Sequence, residues 1–410
     1  ILMQIVRTNV RQPDEVIGDF YAQTSCNETG GRALREMMDE FDLDSIDEVS
    51  EEIIRRSEAA VRAEIAKLPA GEWSSETWSD GFEEPILIRC TVRVAGEEIF
   101  IDFTGSSPQS SRGINVVLNY THAYASFAIK AAICPDVPHN EGSFRPVHVS
   151  APEGSILNAL DPAPVASRQV IGHFIPSAIF AAMSGALPGR LMAPGADPIW
   201  LSVWRGQNPS FTLTVFQVGG TGARPSKDGL NAVGFPSGVA GVPAEVIESL
   251  SPVVLKRREL RADSGGPGTW RGGLGQLTEF TRRGDGKWSV SSIADRTQYP
   301  ALGLLGGHAG AAGEVTTGDG EKLHAKALKD LTKGEVIHVN LPGGGGYGDP
   351  FKRAPEKVLW DVIEGYVTAA AAEKQYGVAV TYSGLADALV KLPEEWQVDV
   401  ARTAALRRDK

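Results

Sequence analysis

Pro342-Gly343-Gly344-Gly345-Gly346-Tyr347-Gly348-Asp349-Pro350 is the densest of three glycine runs in the second half of this 410-residue chain. The other two are Gly219-Gly220-Thr221-Gly222-Ala223-Arg224-Pro225-Ser226-Lys227-Asp228-Gly229 and Asp263-Ser264-Gly265-Gly266-Pro267-Gly268-Thr269-Trp270-Arg271-Gly272-Gly273-Leu274-Gly275. Glycine loses more backbone freedom on folding than other residues. Clustered glycines therefore persist where φ must be positive or where something approaches the backbone closely. A flexible linker would be Gly and Ser, without the Trp, Arg and Pro that punctuate these runs. They read as shaped loops of a large folded scaffold.

Composition sets the frame around them. A length of 410 residues allows a sizeable core and exceeds one ordinary domain. The 42% hydrophobic and 22% charged fractions are those of a globular protein. Forty basic against 51 acidic residues leave a net charge of −11, which argues against a nucleic-acid or anionic-membrane surface. No apolar run approaches the ~18 residues of a membrane span, and Ile1 to Val6 is too short for a signal peptide. Cys26, Cys90 and Cys134 are odd in number and scattered, which fits a reducing cytoplasm better than a disulfide framework. The chain opens on an apolar run without an initiator Met and reads like the middle of a longer protein.

Periodicity predicts an α+β chain, β-rich in the middle and helical at both ends. Residues 13–68 read as helical, from Pro13-Asp14-Glu15 and again from a capping box at Ser45-Ile46-Asp47-Glu48. Residues 86–94 and 98–103 flank Ala95-Gly96-Glu97 as a hairpin. Helices are expected near 121–133 and 169–187. Strands are expected at 145–150, 199–205, 210–218, 253–261, 276–283, 287–294 and 334–341. A last pair of helices is placed at 355–376, with Gly377 as its C-terminal cap, and at 383–391. Three segments follow: a helical part over 1–70, a β-rich body over 71–350 and a helical tail over 351–410.

Several chemistries can be tested on spacing alone. Asp263-Ser264-Gly265-Gly266-Pro267 copies the nucleophile segment of chymotrypsin-like proteases, but the histidine context is missing and a triad is defined by its partners. No glycine run ends in Gly-Lys-Ser/Thr or shows the Gly-x-Gly-x-x-Gly dinucleotide arrangement. Gly343 to Gly348 is either a structural turn or a set of N–H groups offered to an anion. His122, His139, His148, His173, His308, His324 and His338 never pair at helical spacing, and Cys-x-x-Cys is lacking, so no metal is assigned to this chain. Arg224, Asp228, Asp263, Arg271, Asp295 and Arg296 combine charge with tight-turn chemistry. They either brace loops as Arg–carboxylate clamps or form a rim that recognises a small amide or carboxylate substrate. Asn115 and Asn119 beside Arg112-Gly113 hold an amide or cap the following helix. No catalytic side chain is assigned.

The ordered succession of these motifs resembles the hydantoinase B family. The similarity starts at Asn9-Val10-Arg11-Gln12-Pro13-Asp14-Glu15 and passes through Asp102-Phe103-Thr104-Gly105-Ser106-Ser107-Pro108-Gln109 and Gly113-Ile114-Asn115. It continues through Asn140-Glu141-Gly142-Ser143-Phe144-Arg145-Pro146 and Ala151-Pro152-Glu153-Gly154-Ser155-Ile156-Leu157-Asn158. The three glycine runs, Asp295-Arg296-Thr297 and Gly346-Tyr347-Gly348-Asp349-Pro350 complete it. The resemblance implies ATP-dependent opening of a cyclic amide such as a hydantoin, 5-oxoproline or a lactam. A related activation in acetone- or acetophenone-carboxylase-like complexes is the alternative, and a non-catalytic scaffold role is a third. It further implies that ATP-Mg is handled by a partner of the hydantoinase A-like type. A divalent metal, Mn or Zn, is implied in an upstream family region whose Asn-Asp-Pro-Tyr-type and His-His-x-Asp-type motifs do not occur here. That region is expected on a separate upstream hydantoinase B fragment or missing, with this chain inactive alone.

Overall fold

The computed structural model describes residues 1–10, 12–385 and 387–408; Arg11 of the first motif lies outside the described residues. The fold is mixed α+β, as periodicity predicts. The chain divides into two compact units, one of Ile1–Ala60 with Pro138–Ser143, the other of Val61–Val137 with Phe144–Lys410.

The first unit is built from helices α1 (Leu2–Asn9), α2 (Pro13–Glu40) and the greater part of α3 (Asp47–Ile65). Pro13 occupies the first turn of α2 with Asp14 and Glu15 beside it, where a missing N–H costs nothing and acids meet the helix dipole. Helix α2 runs unbroken through Gly30-Gly31. Of its expected apolar stripe Ile17 is buried, whereas Phe20, Tyr21, Leu34, Met37 and Phe41 are exposed. Ser45 Oγ accepts the Asp47 N–H at the start of α3, where the expected capping box would have used the Glu48 N–H.

The second unit starts with a sheet ordered β1 (Gly71–Ser79), β2 (Ile86–Ala95), β3 (Glu98–Asp102) and β4 (Val147–Ser150). The β2–β3 hairpin is the predicted one, with Ala95 opposite Glu98 and Gly96 at φ +63. Alternation places Ile86, Ile88, Cys90, Val92 and Val94 on the buried face of β2. Helices α4 (Leu118–Ile133) and α7 (Phe174–Met183) share this core, with the short α5 (Glu141–Phe144) and α6 (Gln169–Gly172) between them in the chain. Helix α7 reads Phe-Ile-Pro-Ser-Ala-Ile-Phe-Ala-Ala-Met and is buried almost all round, as expected of a helix without a polar face. Strand β1 escaped prediction because its sequence is Gly-Glu-Trp-Ser-Ser-Glu-Thr-Trp-Ser. Beside Trp73, the small hydroxyl residues Ser75, Thr77 and Ser79 face inward, and Ser75 Oγ donates to the Ala178 carbonyl of α7.

Two antiparallel sheets share a second core. One is ordered β11 (Lys322–Leu323), β10 (Glu314–Thr317), β13 (Ile337–Asn340), β8 (Gln276–Arg282), β7 (Val253–Leu260). The other is ordered β12 (Leu328–Leu331), β9 (Trp288–Ile293), β5 (Trp200–Gly206), β6 (Phe211–Gln217). Trp204 fills the centre, 4.8 Å from Phe280 and 5.5 Å from Trp288 between ring centroids. Helix α8 (Ala244–Leu250) adds Ile247.

The glycine runs converge on one another. Gly343 N–H donates to Ala311 O, Gly344 to Gly273 O, Gly345 to Pro194 O and Gly346 to His308 O. Partners thus recur every third residue, the period of a polyproline-II-type chain rather than of an α-helix or a flat strand. The reverse bonds come from Gly266 to Gly344 O, Ala223 to Gly345 O and Leu304 to Gly346 O. The central run is therefore packed on all sides by other backbones.

The tail forms a third core around Val358, Val362, Ala372 and Tyr376. The single helix expected over 355–376 is two, α9 (Pro355–Ile363) and α10 (Ala369–Tyr376), because Gly365 at φ +73 ends the first and Thr368 caps the second. Gly377 closes α10 in the left-handed conformation, as predicted. The helix expected at 383–391 is not formed by its described residues; Ala386 lies outside them. In its place stand the two-stranded sheet of β14 (Val380–Tyr382) and β15 (Trp396–Val398) and helix α11 (Val400–Arg407), capped by Asp399. No helix among the described residues is long and apolar enough to cross a membrane.

Candidate functional site

Asp295-Arg296 is the sequence-selected pair that lies beside an open cavity. It follows β9, and Arg296 adopts φ +59, a conformation uncommon for a residue with a Cβ. The Asp295 carboxylate is fully buried. It accepts from Ser79 Oγ (2.7 Å), from the N–H groups of Asp80 (3.0 Å) and Arg296 (2.8 Å), and from Lys326 Nζ (3.0 Å). Asp80 then holds the next turn, taking Thr297 N and Oγ1, Gln298 N and Tyr299 N on its two oxygens. These bonds fix the backbone that presents Arg296.

The Arg296 side chain is 3% exposed. Its Nε donates to the Asp197 carbonyl (2.9 Å) and Nη1 to the Tyr299 carbonyl (3.3 Å), while the guanidinium lies over Phe174, 4.4 Å from the ring centre. Nη2 finds no acceptor among the described residues. Burial lowers the pKa of this guanidinium, and Asp197, Asp295 and Asp80 act against the shift. Arg296 lines a cavity of about 180 Å³ whose other walls include Trp78, Ala181, Tyr299, Leu302 and Leu304. Trp78 and Tyr299 stack with centroids 5.8 Å apart. Nη2 itself is sealed from solvent, so the cavity meets a bound molecule mainly through its apolar walls.

Asp197 lies close by, fully buried, with Ser177 Oγ donating to Oδ2 at 2.5 Å. Burial raises its pKa from 3.8 to about 6, against the pull of Arg296 and the Ser177 hydroxyl. Below about 3.8 the carboxyl is protonated in both folded and unfolded chains. Between the two values only the folded chain keeps the proton. Above about 6 the buried charge costs on the order of 3 kcal/mol, so this group's contribution to stability falls as pH rises. Ser177→Ala removes a bond to the ionised form and is expected to move the midpoint upward. By chemical denaturation the variant's deficit should grow by roughly 1 kcal/mol between pH 6 and 7.5. A deficit that does not change with pH would contradict this assignment.

Of the remaining sequence-selected residues, all but Asn119 have side-chain hydrogen bonds or ion pairs within the protein. Asn115 is buried and uses both side-chain groups on backbone: Oδ1 accepts from Ser110 N, and Nδ2 donates to the carbonyls of Ser110, Arg112 and Pro164. Asn119 is exposed in the first turn of α4. Arg224 Nη2 donates to the Asp228 carbonyl, while the Asp228 carboxylate takes a two-pronged bond from Arg353. Asp263 accepts from Thr368 N and Oγ1, and Arg271 meets Asp361. The Asp228, Asp263 and Arg271 side chains each meet a side chain distant in sequence. Asp80, Ser177, Asp197 and Lys326 were missed because no spacing rule links them; tertiary structure alone assembles them. Among the described residues no three His, Cys, Asp or Glu side chains converge as a metal site, so the divalent metal implied by the family resemblance has no matching ligand set here.

Residues 1–350 match the family model described as hydantoinase B/oxoprolinase. A provisionally named D-/L-hydantoinase component of the B type, from Pseudomonas sp. strain NS671, is 32% identical over 92% of this chain and 67% of its own length. The 5-oxoprolinase PfmaA of Pestalotiopsis fici is 30% identical over 82% of this chain, which spans only 27% of that relative. The crystal structure of an ATP-dependent caprolactamase from Pseudomonas jessenii superposes with a TM-score of 0.84 at 26% identity, covering 99% of this chain and 72% of the other. An acetone carboxylase structure shares the fold, with a TM-score of 0.78 at 18% identity over 92% of this chain and 57% of that one.

Proposed function

The chain belongs to the hydantoinase B/oxoprolinase family, and from that premise we propose that it serves as the hydantoinase B-type part of an ATP-dependent cyclic-amide hydrolase. The observation that carries this reading is the superposition on the ATP-dependent caprolactamase over 99% of the chain. The hydantoinase and oxoprolinase relatives support the same chemistry. The likeness to acetone carboxylase extends to fold alone, which places a carboxylation role second.

In this reading ATP-Mg is bound by a hydantoinase A-like partner, and the assembly works in the cytoplasm, where ATP is available. Any catalytic metal is held by another part of that assembly. Phosphorylation of the amide oxygen makes the attached carbon electrophilic; water adds there, the C–N bond breaks as nitrogen takes the proton, and a second water releases phosphate from the resulting acyl phosphate. This chain's part is to frame and orient the ring. The test is reconstitution with the ATP-binding partner, following ADP release with 5-oxoproline, hydantoin, ε-caprolactam, and acetone plus bicarbonate. Release driven by one or more cyclic amides, with formation of the ring-opened acid, is expected. Stimulation by none of them would sink the proposal, and stimulation requiring bicarbonate would move the chain to the carboxylase branch.

A further inference from the structure

Most of the molecule's remaining features are accounted for by packing or lack an identifiable occupant. The buried Arg353–Asp228–Asp361–Arg271 cluster ties the tail to the glycine runs. His173 is buried with an unpartnered Nδ1, but its ring lies against Tyr124. The cavity walled by Trp78, Tyr299 and Leu302 and the exposed apolar side of α2 carry no feature that specifies a ligand or a partner. The tail over 351–410 differs from all of these. It has its own core, an open groove and a distribution among relatives that points to one partner.

Three relatives of which this chain spans 67 to 70% match it over 92 to 99% of its length, a caprolactamase subunit beta from Pseudomonas jessenii among them. Five relatives of which it spans only 27%, three of them 5-oxoprolinases, match over 81 to 82%. The family model itself ends at residue 350, so the part without a counterpart in the long chains falls in the tail. A long polypeptide can hold neighbouring domains together by the covalent link alone, at effective concentrations in the mM range. A separate chain has to do so by surface. We propose that the tail docks the ATP-binding partner, which inserts an apolar side chain into the groove between α10, α11 and Phe351. This rests on the reading of the chain as one part of a multi-chain hydrolase, and adds the surface by which the parts meet.

The groove holds about 430 Å³ and is lined by Phe351, Ala370, Gly377 and Leu406, together with Glu373 and Lys374. Gly377 keeps it open. Its left-handed conformation ends α10, and a Cβ there would stand 2.7 Å from the Phe351 ring. Of the two charges, Glu373 is already paired with Arg402 at 2.6 Å. Lys374 is exposed and has no ion pair among the described residues. The groove therefore suits an apolar anchor flanked by a carboxylate, where burial supplies affinity and the charge pair sets register.

Calorimetric titration of the full chain with the ATP-binding partner used for reconstitution measures this surface directly. Ala370→Glu puts a charged side chain into the groove from the first turn of α10, where the helix dipole favours an acid. Its melting temperature should stay within about 2 °C of the parent, while Kd rises at least roughly thirtyfold, the loss of one buried anchor. Lys374→Glu should raise Kd roughly threefold, and added salt should shrink that difference. If Ala370→Glu does not fold, Lys374→Glu still decides. Tyr21→Asp, at a position 60% exposed on α2, should bind like the parent. Unchanged Kd in both tail variants, an equal loss in Tyr21→Asp, or a wild-type chain that does not bind the partner would each overturn the assignment. Lactam-driven ADP release by an assembly whose Kd neither tail variant alters would strike the tail and leave the hydrolase reading standing. Binding that the tail variants weaken, in an assembly that no cyclic amide stimulates, would support the tail and sink the hydrolase reading.

Discussion

Gly344→Ala is expected to leave little or no folded protein, a large effect for a single methyl group. An added Cβ would stand 2.0 Å from the Thr221 carbonyl oxygen and 2.7 Å from Gly222 N. Overpacking that flexible side chains can absorb costs about 1–3 kcal/mol. Here the obstacle is backbone, itself bonded: Gly273 N donates to Thr221 O, and Gly344 N donates to Gly273 O. Relief would break several of these bonds at once. Net stability of a domain is only about 5–15 kcal/mol, so little margin remains. The reason is space and not conformation, since Gly344 does not have positive φ. Gly18→Ala is the matched control. It lies in α2 with nothing within 4 Å of the new Cβ, and should be neutral or add up to about 1 kcal/mol. Soluble yield and thermal unfolding by circular dichroism compare the two. A Gly344→Ala protein that melts within about 2 °C of the parent would refute the close-packed arrangement.

That arrangement also shows where sequence reading stops. Alternation in Ile86–Val94 and the Gly96 turn made the β2–β3 hairpin legible, and the apolar run of α7 announced a buried helix. Strand β1 was illegible because, Trp73 apart, its inner positions are Gly, Ser and Thr, with Ser75 bonding α7 and Ser79 bonding Asp295. The glycine runs were recognised as shaped loops, yet nothing in one run says that it will bond to the other two. The same limit applies to the candidate site. Asp295 and Arg296 stood out as adjacent opposite charges in a strand-to-loop transition. Asp80 and Asp197 did not, because one ends an undetected strand and the other sits in a Gly/Pro-rich connection. Arg224 with Asp228, and Asp263 with Arg271, were read as loop clamps or a substrate rim. In the structure each of the four has a bracing bond, and none bonds the side chain that sequence proximity favoured.

Arg353 is the residue behind that re-pairing, and Arg353→Met should cost about 3–5 kcal/mol, the range for stranding a buried charge. The guanidinium is 2% exposed and reaches Asp228 with both Nη atoms, at 2.7 and 2.9 Å, and Asp361 with Nε and Nη2, at 3.0 and 2.7 Å. Burial works to raise the pKa of Asp228, but Arg353 outweighs it and holds the carboxyl below its usual range. Asp361 moves the other way: burial raises its pKa, with Arg271 and Arg353 pulling it back. In the wild type the Asp228 contribution is therefore present above the ordinary carboxylate pKa and is lost as pH falls. Removing the arginine reverses the sign, since both carboxylates then resist ionisation and the protein is relieved by protonation. The deficit of Arg353→Met should accordingly be greatest at pH 7–8 and shrink toward pH 4. A mere packing defect would leave it constant. Adding Asp228→Asn and Asp361→Asn to the same chain should recover part of the loss at neutral pH, because the amides bury no charge. Because Asp228 also accepts from Arg271 N at 2.7 Å, within the second glycine run, loss of this clamp loosens the run as well as the tail. Faster hydrogen exchange at Gly272 and Gly273 in the variant is the measurement that separates this coupling from local unfolding of α9.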